Sequence, residues 1–317
     1  MKSGMVKVEK KGSTLQRMLH QWDLQILVIP GILFLLVFSY IPMYGIIMAF
    51  QEFKIGDFPG FSQWVGLKQF NYLFKDPNFA IVMRNTLVIS ALKLVINFPI
   101  PIIFAVLVNE LKGKTFKKTI QTISYLPHFI SWVVTAMLMF DMFSIDGGVV
   151  NDLLVNSGLI KEPIGFFTQA DYFWGIAVVS DIWKELGWNS IIFIAAITSV
   201  DYDMYEAADI DGCNRIQKMW HITIKAIKPT IILLFIFTVG GILNANFDQI
   251  MMLTKQMTNA MLKSTANVID TYVYSVGLSE GRYSFAAAAG LFKSVINFIL
   301  LLGANYLAAK SGESALF

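Results

Sequence analysis

The fourth apolar stretch of this chain contains a dense group of side chains that could bind a polar solute. Asp181, Lys184 and Glu185 are spaced three and four positions apart, so on a helix all three share one face. Such a face is either an internal cluster of ion pairs or part of a binding site. The stretch also supplies two indoles and an amide: Trp183, Trp188 and Asn189. Aromatic rings under C–H faces, with amides or carboxylates at hydroxyls, are the side chains that bind sugars.

The fifth apolar stretch contains a second polar group. Its members are amides, one aromatic ring and one carboxylate: Asn244, Asn246, Phe247, Asp248 and Gln249. This density of polar side chains predicts a water-filled cavity, although Asp248 alone would also fit the outer membrane interface.

Two lysines also lie within apolar stretches, where a charge costs about 2.5–3.5 kcal/mol at the centre of a span. Lys293 is ten residues into the last stretch, or about 15 Å deep at 1.5 Å per residue. It either lines a solute path or pairs with an acid on a neighbouring helix. We expect Lys93 to pair or to extend its amine to the interface, and His128 to pack rather than to bind a ligand.

The motifs of catalysis are missing from the sequence. Gly113-Lys114-Thr115 matches the end of a phosphate-binding loop, but Val108 stands where the first glycine is required. Neither H-E-x-x-H nor G-x-S-x-G occurs, and one cysteine with three scattered histidines excludes a disulfide framework and argues against a metal cluster. We therefore expect no enzymatic activity, no cofactor on this chain, and any ATP hydrolysis on a partner chain.

Composition places the chain in a membrane. Of its 317 residues 56% are hydrophobic and only 15% are charged, against about 25% charged in soluble domains. The net charge of +3 does not suggest nucleic acid binding. Six stretches are long enough to cross about 30 Å of hydrocarbon. They are 24–50, 85–109, 119–140, 172–200, 229–254 and 283–309.

The distribution of Lys and Arg predicts the orientation of these stretches. If both termini are cytoplasmic, the inner segments hold fourteen basic residues and the outer loops hold seven. The prediction is an all-α integral membrane protein with six transmembrane helices, N-in and C-in. It has a cytoplasmic segment 1–23, a six-span domain 24–309 and a cytoplasmic tail 310–317. Segment 141–171 is expected to be an ordered outer loop with a short helix at 148–156.

The inner loop 201–228 is the most informative segment. On a helix, Tyr205, Ala208, Asp209 and Gly212 lie on one face. This small, polar face would suit docking into a groove of another protein, but an ordinary connecting helix on the membrane surface also fits. Gly212 is placed to end the helix.

This loop resembles the E-A-A-x-x-x-G loop of permease subunits of bacterial ATP-binding-cassette importers. The matching positions are Glu206, Ala207, Ala208, Gly212, Ile222 and Pro229. Cys213 stands where alanine is common, and Lys225 where proline is common and a bend is usual. Shorter segments resemble other parts of such permeases. The segments 64–67 with Phe70, and Phe79 with 85–87, resemble the entry to the second span in carbohydrate permeases, and 283–292 resembles their sixth span. The subgroup that imports complex oligosaccharides is resembled at 125–131, Trp183 with 187–189, and 246–249.

The resemblance implies a type I importer permease in the bacterial plasma membrane, forming half of the path for an oligosaccharide. Its partners would be a second homologous permease, two cytoplasmic ATPases that hold ATP and Mg, an extracellular solute-binding protein, and lipid. A coupling helix at 205–212 would contact the ATPase. The contact residues would be Glu206, Ala207, Ala208, Asp209 and Gly212.

Three alternatives remain open at this point. An ion-gradient-driven transporter of a small polar solute would need a buried relay, for which Asp181 and Glu185 are the candidates. A membrane enzyme acting on lipid-linked sugars would need acids at one membrane face, and the acids of 201–211 would be those. An importer of a polyol or another small polar molecule would share every feature above.

Overall fold

The computed structural model describes residues 22–312 and Leu316, and within them the regular secondary structure is helical apart from one isolated bridge between Gln51 and Trp64. The predicted segment 1–23 lies outside the described residues except at its end, as does half of the predicted tail 310–317. The helices of the first half of the chain are α1 (Trp22–Leu35), α2 (Lys68–Lys75), α3 (Pro77–Leu92), α4 (Pro99–Asn109), α5 (Lys114–Tyr125), α6 (Trp132–Met142) and α7 (Val149–Asn156).

The second half of the chain begins with α8. Its helices are α8 (Phe173–Thr198), α9 (Tyr202–Ile210), α10 (Arg215–Lys218), α11 (Ile224–Ala226), α12 (Lys228–Gly240), α13 (Phe247–Leu253), α14 (Lys263–Ala266), α15 (Ile269–Tyr274) and α16 (Tyr283–Lys310). Short 3-10 or π turns continue several of them, so that α1 extends to Phe50 and α3 joins α4.

Three continuous helical segments are long and apolar enough to cross a membrane: Gln25–Phe50, Pro77–Asn109 and Tyr283–Lys310. Two further pairs of helices would each cross as one broken span. Helix α8 has the length of a span with 26 residues, but it carries the three charges Asp181, Lys184 and Glu185.

The third predicted span is bent in the middle. Lys114–Phe129 and Trp132–Met142 meet at an angle of 102°. Pro127 begins a short 3-10 turn, Ile130 is extended, and the Ser131 side chain then caps α6 by accepting from the Val134 N–H. The local sequence L-P-H-F-I-S thus ends one helix and starts the next.

The fifth predicted span is interrupted twice. The chain bends by 61° at Ile227, before Pro229 opens α12, although Lys225 replaces the proline that is common before such a bend. Helix α12 then ends at Gly240, and a new helix begins only after Asn246, whose φ of 66° is left-handed. The stretch 229–254, predicted as one span, is therefore two helices with an unwound segment between them.

The outer loop 141–171 is ordered, as predicted, and contains α7. Asn151 is fully buried and holds the loop together. Its amide donates to the carbonyls of Ser144 (2.7 Å) and Ile164 (3.0 Å) and accepts from the Ile164 N–H (2.8 Å).

Helix α8 is the centre of the packing. It lies along α4 on one side and against the turn Leu126–Phe129 on the other. Gly187 permits this second contact, because a Cβ there would lie 2.0 Å from the carbonyl oxygen of Ser124. The backbones of the third and fourth spans therefore meet at this glycine.

Gly187→Ala is expected to destabilise the protein by about 2 kcal/mol, because the methyl group would collide with backbone atoms that cannot rotate away. Gly175→Ala, on the same helix with nothing within 4 Å of a new Cβ, is the control and should be neutral or stabilising. Thermal unfolding of both variants in detergent measures the difference. Equal melting temperatures would show that the backbone contact at Gly187 is absent.

Candidate functional site

A cavity of about 610 Å³ lies between the second, fourth and fifth spans. Its wall is mainly apolar, with rings such as Phe98 and Phe237, and a small number of polar groups converge on it. The polar side chains that line it are Ser90, Lys93, Asn97, Asp181, Asn189, Thr238, Asn244 and Asn246. Few polar groups in a concave apolar wall are typical of a binding site.

The second span reaches this cavity through a π turn, Lys93–Asn97. The Phe98 N–H donates to the Lys93 carbonyl five residues earlier (3.1 Å). Pro99 and Pro101 follow, and neither has an N–H to donate to the preceding turn. Such π turns are frequent at functional sites, and this one turns Lys93 and Asn97 toward the fourth span.

Lys93 is held in a network that joins three spans. Its ammonium group lies 2.9 Å from Asp181 Oδ1 on α8 and donates to Gln249 Oε1 on α13 at 2.6 Å. Asn97 donates to the other oxygen of Asp181 at 2.7 Å. Gln249 is fully buried and donates to the Ala177 carbonyl (2.6 Å) and to Ser180 Oγ (2.9 Å).

Two polar atoms at this network have no partner among the described residues. Ser90 Oγ and Asn97 Oδ1 are buried and accept or donate no hydrogen bond. A buried polar atom without a partner costs about 1–3 kcal/mol. The interface between the second and fourth spans is thus held by strong contacts, but it leaves these two buried polar atoms without a hydrogen bond.

The break in the fifth span forms the opposite wall. Asn246 caps α13 by accepting from the Gln249 N–H (3.3 Å). Asn297 on α16 accepts from the freed Leu243 N–H (3.2 Å). Asn244 is exposed and lines the cavity. Unwound backbone at this depth is tolerated where it lines a cavity or finds partners in the protein.

The charged triad of α8 is divided between two environments. Asp181 pairs with Lys93, whereas Glu185 pairs with His128 (2.7 Å from Nδ1 to Oε2) and with Lys184 (3.3 Å). Lys184 also donates to the His128 carbonyl at 2.5 Å. All three charges therefore form internal ion pairs, but Asp181 pairs with Lys93 of another helix and not within the triad. His128, expected to pack rather than to bind a ligand, also contacts the Glu185 carboxylate through Nδ1.

Of the solute-path candidates predicted from the sequence, four line the cavity: Trp188, Asn189, Asn244 and Asn246. Glu185 lines only a small crevice beside it, with Asp181 and Asn97. The other candidates do not border the described cavity: Trp183, Lys184, Phe247, Asp248 and Lys293. Phe247 instead packs on Tyr274, with 5.3 Å between ring centroids.

Lys293 forms an ion pair with Asp270 on α15, and both side chains are largely buried. This outcome matches the second of its two sequence interpretations, a pair with an acid on a neighbouring helix. Sequence reasoning left Lys93 and Asn97 out of the site. The signal that could have found them is the polar series Ser90, Lys93 and Asn97, which recurs at nearly helical spacing within an apolar stretch.

The inner loop contains the predicted helix, α9, which has one side against the rest of the chain and one exposed side. Asp201 caps α9, and Gly212, with φ of 76°, follows its end. Tyr205 contacts Thr223 Oγ1 (2.9 Å), Ala208 is buried, and Asp209 pairs with Lys218. Two members of the face proposed for docking, Tyr205 and Ala208, thus contact the chain itself, whereas Asp209 and Gly212 are exposed, and the opposite side is free.

The free side of α9 is partly apolar. Ile210 is 88% exposed, and Tyr202, Glu206 and Ala207 are also exposed. The described residues contain no group of three or more His, Cys, Asp or Glu side chains that could hold a metal ion.

Comparison with known proteins gives a consistent result. Residues 97–312 match the family model described as binding-protein-dependent transport system inner membrane component. The chain is 44% identical to Protein LplB of Bacillus subtilis (strain 168) over 93% of this chain and 91% of that protein. It is 42% identical to the polygalacturonan/rhamnogalacturonan transport system permease protein YteP of the same organism, over 98% and 95%.

A solved structure is similar over nearly the whole chain. It is the crystal structure of a bacterial alginate ABC transporter in complex with an alginate pentasaccharide-bound periplasmic protein. One chain of it matches with a TM-score of 0.85 and 37% identity, covering 96% of this chain and 99% of that chain.

Lys93→Met and Asp181→Asn should each destabilise the protein by about 3 kcal/mol, because each leaves a buried polar or charged partner unpaired. The double variant should recover most of this loss. The control is Lys68→Met, whose partner Glu52 is 3.6 Å away in an exposed pair, and it should cost under about 1 kcal/mol. A double-mutant cycle of thermal unfolding gives the coupling, and additive losses would contradict the network.

Proposed function

Because this chain belongs to the family of binding-protein-dependent transport system inner membrane components, we propose that it is one of two permeases in an ATP-driven oligosaccharide importer. It is a multi-pass protein of the plasma membrane and a transport subunit of the ABC importer class rather than an enzyme. The proposal concerns its topology, solute, partners and coupling.

In the proposed topology the chain crosses the membrane six times, with both termini in the cytoplasm. The spans are α1 with its extension to Phe50, α3 with α4, the bent pair α5 and α6, α8, the broken series α12 and α13, and α16. The twofold excess of basic residues in the inner segments supports this orientation. It places α9 on the cytoplasmic side.

The cavity is then half of the solute path, and its open side faces the cytoplasm. A cluster of buried side chains including Phe173, Ile250 and Leu262 lies toward the outer ends of α8 and α13. The cavity residues lie farther inward along α4, α8 and α12. The Lys93–Asp181–Gln249 network separates the two, so it closes the outer end of the cavity.

We assign solute contact to the residues that line the cavity. Trp188 offers a ring face, and Asn189, Asn244 and Asn246 offer amides that both donate and accept. This combination suits the C–H face and hydroxyl groups of a sugar. The named solutes of the similar proteins, polygalacturonan/rhamnogalacturonan and alginate, support an oligosaccharide.

The exposed side of α9 is the observation that carries the proposed coupling. At the end of this helix Ile210 is 88% exposed, beside the exposed Glu206 and Ala207. Ile210, Glu206 and Ala207 would contact the ATPase. Ala208 and Asp209 would hold the helix to α10 and α11, and Gly212 would set the turn.

A firmly attached α9 transmits force better than a mobile loop. Tyr205 and Asp209 attach it to Thr223 and Lys218, which lie in the segment before the bend into the fifth span. In the proposed cycle the loaded binding protein docks outside, and ATP binding closes two ATPase subunits. That closure moves α9 and opens the path outward, and hydrolysis resets it. ATP and Mg would reside on those partners.

An ion-gradient-driven transporter is disfavoured, since the similar proteins are permeases of ABC importers. The two acids that could serve as its relay are both engaged. Asp181 is bound by Lys93 and Asn97, and Glu185 by His128 and Lys184.

Affinity purification of the tagged chain from its host in mild detergent tests the proposal, with an ATPase and a second permease expected to co-purify. Gly212→Trp and Glu206→Lys should abolish recovery of the ATPase and solute uptake while membrane insertion stays normal. A Cβ at Gly212 meets nothing within 4 Å in this chain, so its side chain would extend into the partner.

Gly158→Trp is the matched control for Gly212→Trp. Gly158 has a φ of 72°, has nothing within 4 Å, and lies in the outer loop. It therefore introduces the same backbone strain away from α9 and should leave ATPase recovery unchanged. Normal ATPase recovery in both Gly212→Trp and Glu206→Lys would refute the coupling role.

A further inference from the structure

The indole of Trp188 is fixed against a second flat ring. The His128 imidazole stacks on it with 4.2 Å between centroids and an interplanar angle of 2°. Phe129 contacts it edge-on at 5.9 Å and 82°. Trp188 nevertheless remains 44% exposed, and it lines the cavity. One face of the indole is thus covered, and the uncovered part borders the solute path.

His128 is itself held at two points. Its Nδ1 lies 2.7 Å from Glu185 Oε2, and the other oxygen of Glu185 lies 3.3 Å from the Lys184 ammonium group. Lys184 is 5% exposed and donates to the His128 carbonyl at 2.5 Å. These contacts form a closed ring between α8 and the turn Leu126–Phe129.

The backbone also prevents the two sides of this contact from shifting. Gly187, adjacent to Trp188, brings α8 against the carbonyl of Ser124. Trp188 therefore has a fixed helix behind it and a fixed imidazole under it. A ring held in this way loses little conformational entropy when a ligand stacks on it.

We propose that Trp188 is a stacking platform for a sugar ring and that His128 is its positioning residue, with Glu185 and Lys184 fixing the imidazole. This inference rests on the proposed function of the cavity as a solute path. The ligand it requires is a cyclic sugar unit, pyranose or furanose, with an apolar C–H face. An open-chain polyol has no such flat face and would gain little from the platform.

The test uses the chain in lipid nanodiscs with the subunits that accompany it, without binding protein or nucleotide, and with tryptophan replaced by 5-fluorotryptophan. Trp188→Phe assigns the Trp188 fluorine resonance. Lactose, arabinotriose and trigalacturonate are the cyclic probes, and sorbitol is the open-chain comparison. At least one cyclic probe should shift the Trp188 resonance in a saturable way, and sorbitol at the same concentration should not.

Variants separate positioning from simple packing. His128→Phe keeps a ring under the indole but loses the contact with Glu185, so it should weaken probe binding less than His128→Asn does. His128→Asn keeps a hydrogen bond to Glu185 but removes the ring, so it should weaken binding about tenfold. Glu185→Gln keeps an acceptor for the imidazole and should weaken binding less than Glu185→Ala, which should lose about tenfold; this gives a second pair if a His128 variant fails to fold.

The outcomes are decisive in each direction. The proposal is overturned if no cyclic probe shifts the Trp188 resonance, if sorbitol shifts it equally, or if His128→Asn and Glu185→Ala bind as tightly as the unmodified protein. If no ATPase co-purifies but the titration saturates as described, the importer assignment fails and the platform stands. If the assembly imports sugar while the Trp188 resonance is silent, the platform alone fails.

Discussion

The structure depends on the ion pair between Lys93 and Asp181. A charge at this depth that is mostly removed from water is costly, so each of these two residues requires the other. The pair joins the second span to the fourth at 2.9 Å, and Gln249 extends the contact to the fifth. Three spans that are separate in sequence are thereby fixed around one cavity. Every wall of the proposed solute path is attached to this point.

The irregular parts of the spans also place polar groups inside the bundle. The π turn at Lys93–Asn97, the bend after Phe129 and the unwound segment before α13 all present polar groups to the centre of the bundle. Each break frees backbone groups, and each is accepted because a side chain or the cavity satisfies them. A transporter needs such positions, since regular helices with uniform apolar faces would leave nothing for a polar solute to bind.

Much of the fold follows from composition and local sequence. Apolar length located the helical segments, and glycine, asparagine and aspartate correctly indicated the ordered loop with α7. The inner helix ends before Gly212 as expected. The long-range partners could not be predicted in the same way. Asp181 and Glu185 are four residues apart, yet one faces Lys93 and the other His128, because α8 has different neighbours on each side.

The site was predicted in part for the same reason. Asparagines and Trp188 were found because amides and indoles in an apolar stretch are conspicuous. Lys93 and Asn97 were not assigned to it, since a lysine in a span has a sufficient structural explanation and the π turn that redirects it has no clear sequence signal. The docking role of α9 stays a prediction: Tyr205 and Ala208 contact the chain itself, and small residues suit both docking to a partner and packing within the chain.

The central claim is that the Lys93–Asp181–Gln249 network closes the outer end of a cavity that opens to the cytoplasm. The accessibility of position 244 from each side of the membrane tests this claim most directly. Asn244→Cys, in a chain whose single native Cys213 is replaced by serine, is treated with a membrane-impermeant maleimide in oriented vesicles. Without nucleotide, inside-out vesicles should be labelled and right-side-out vesicles should not. Labelling from the outside that equals or exceeds labelling from the inside would contradict the account.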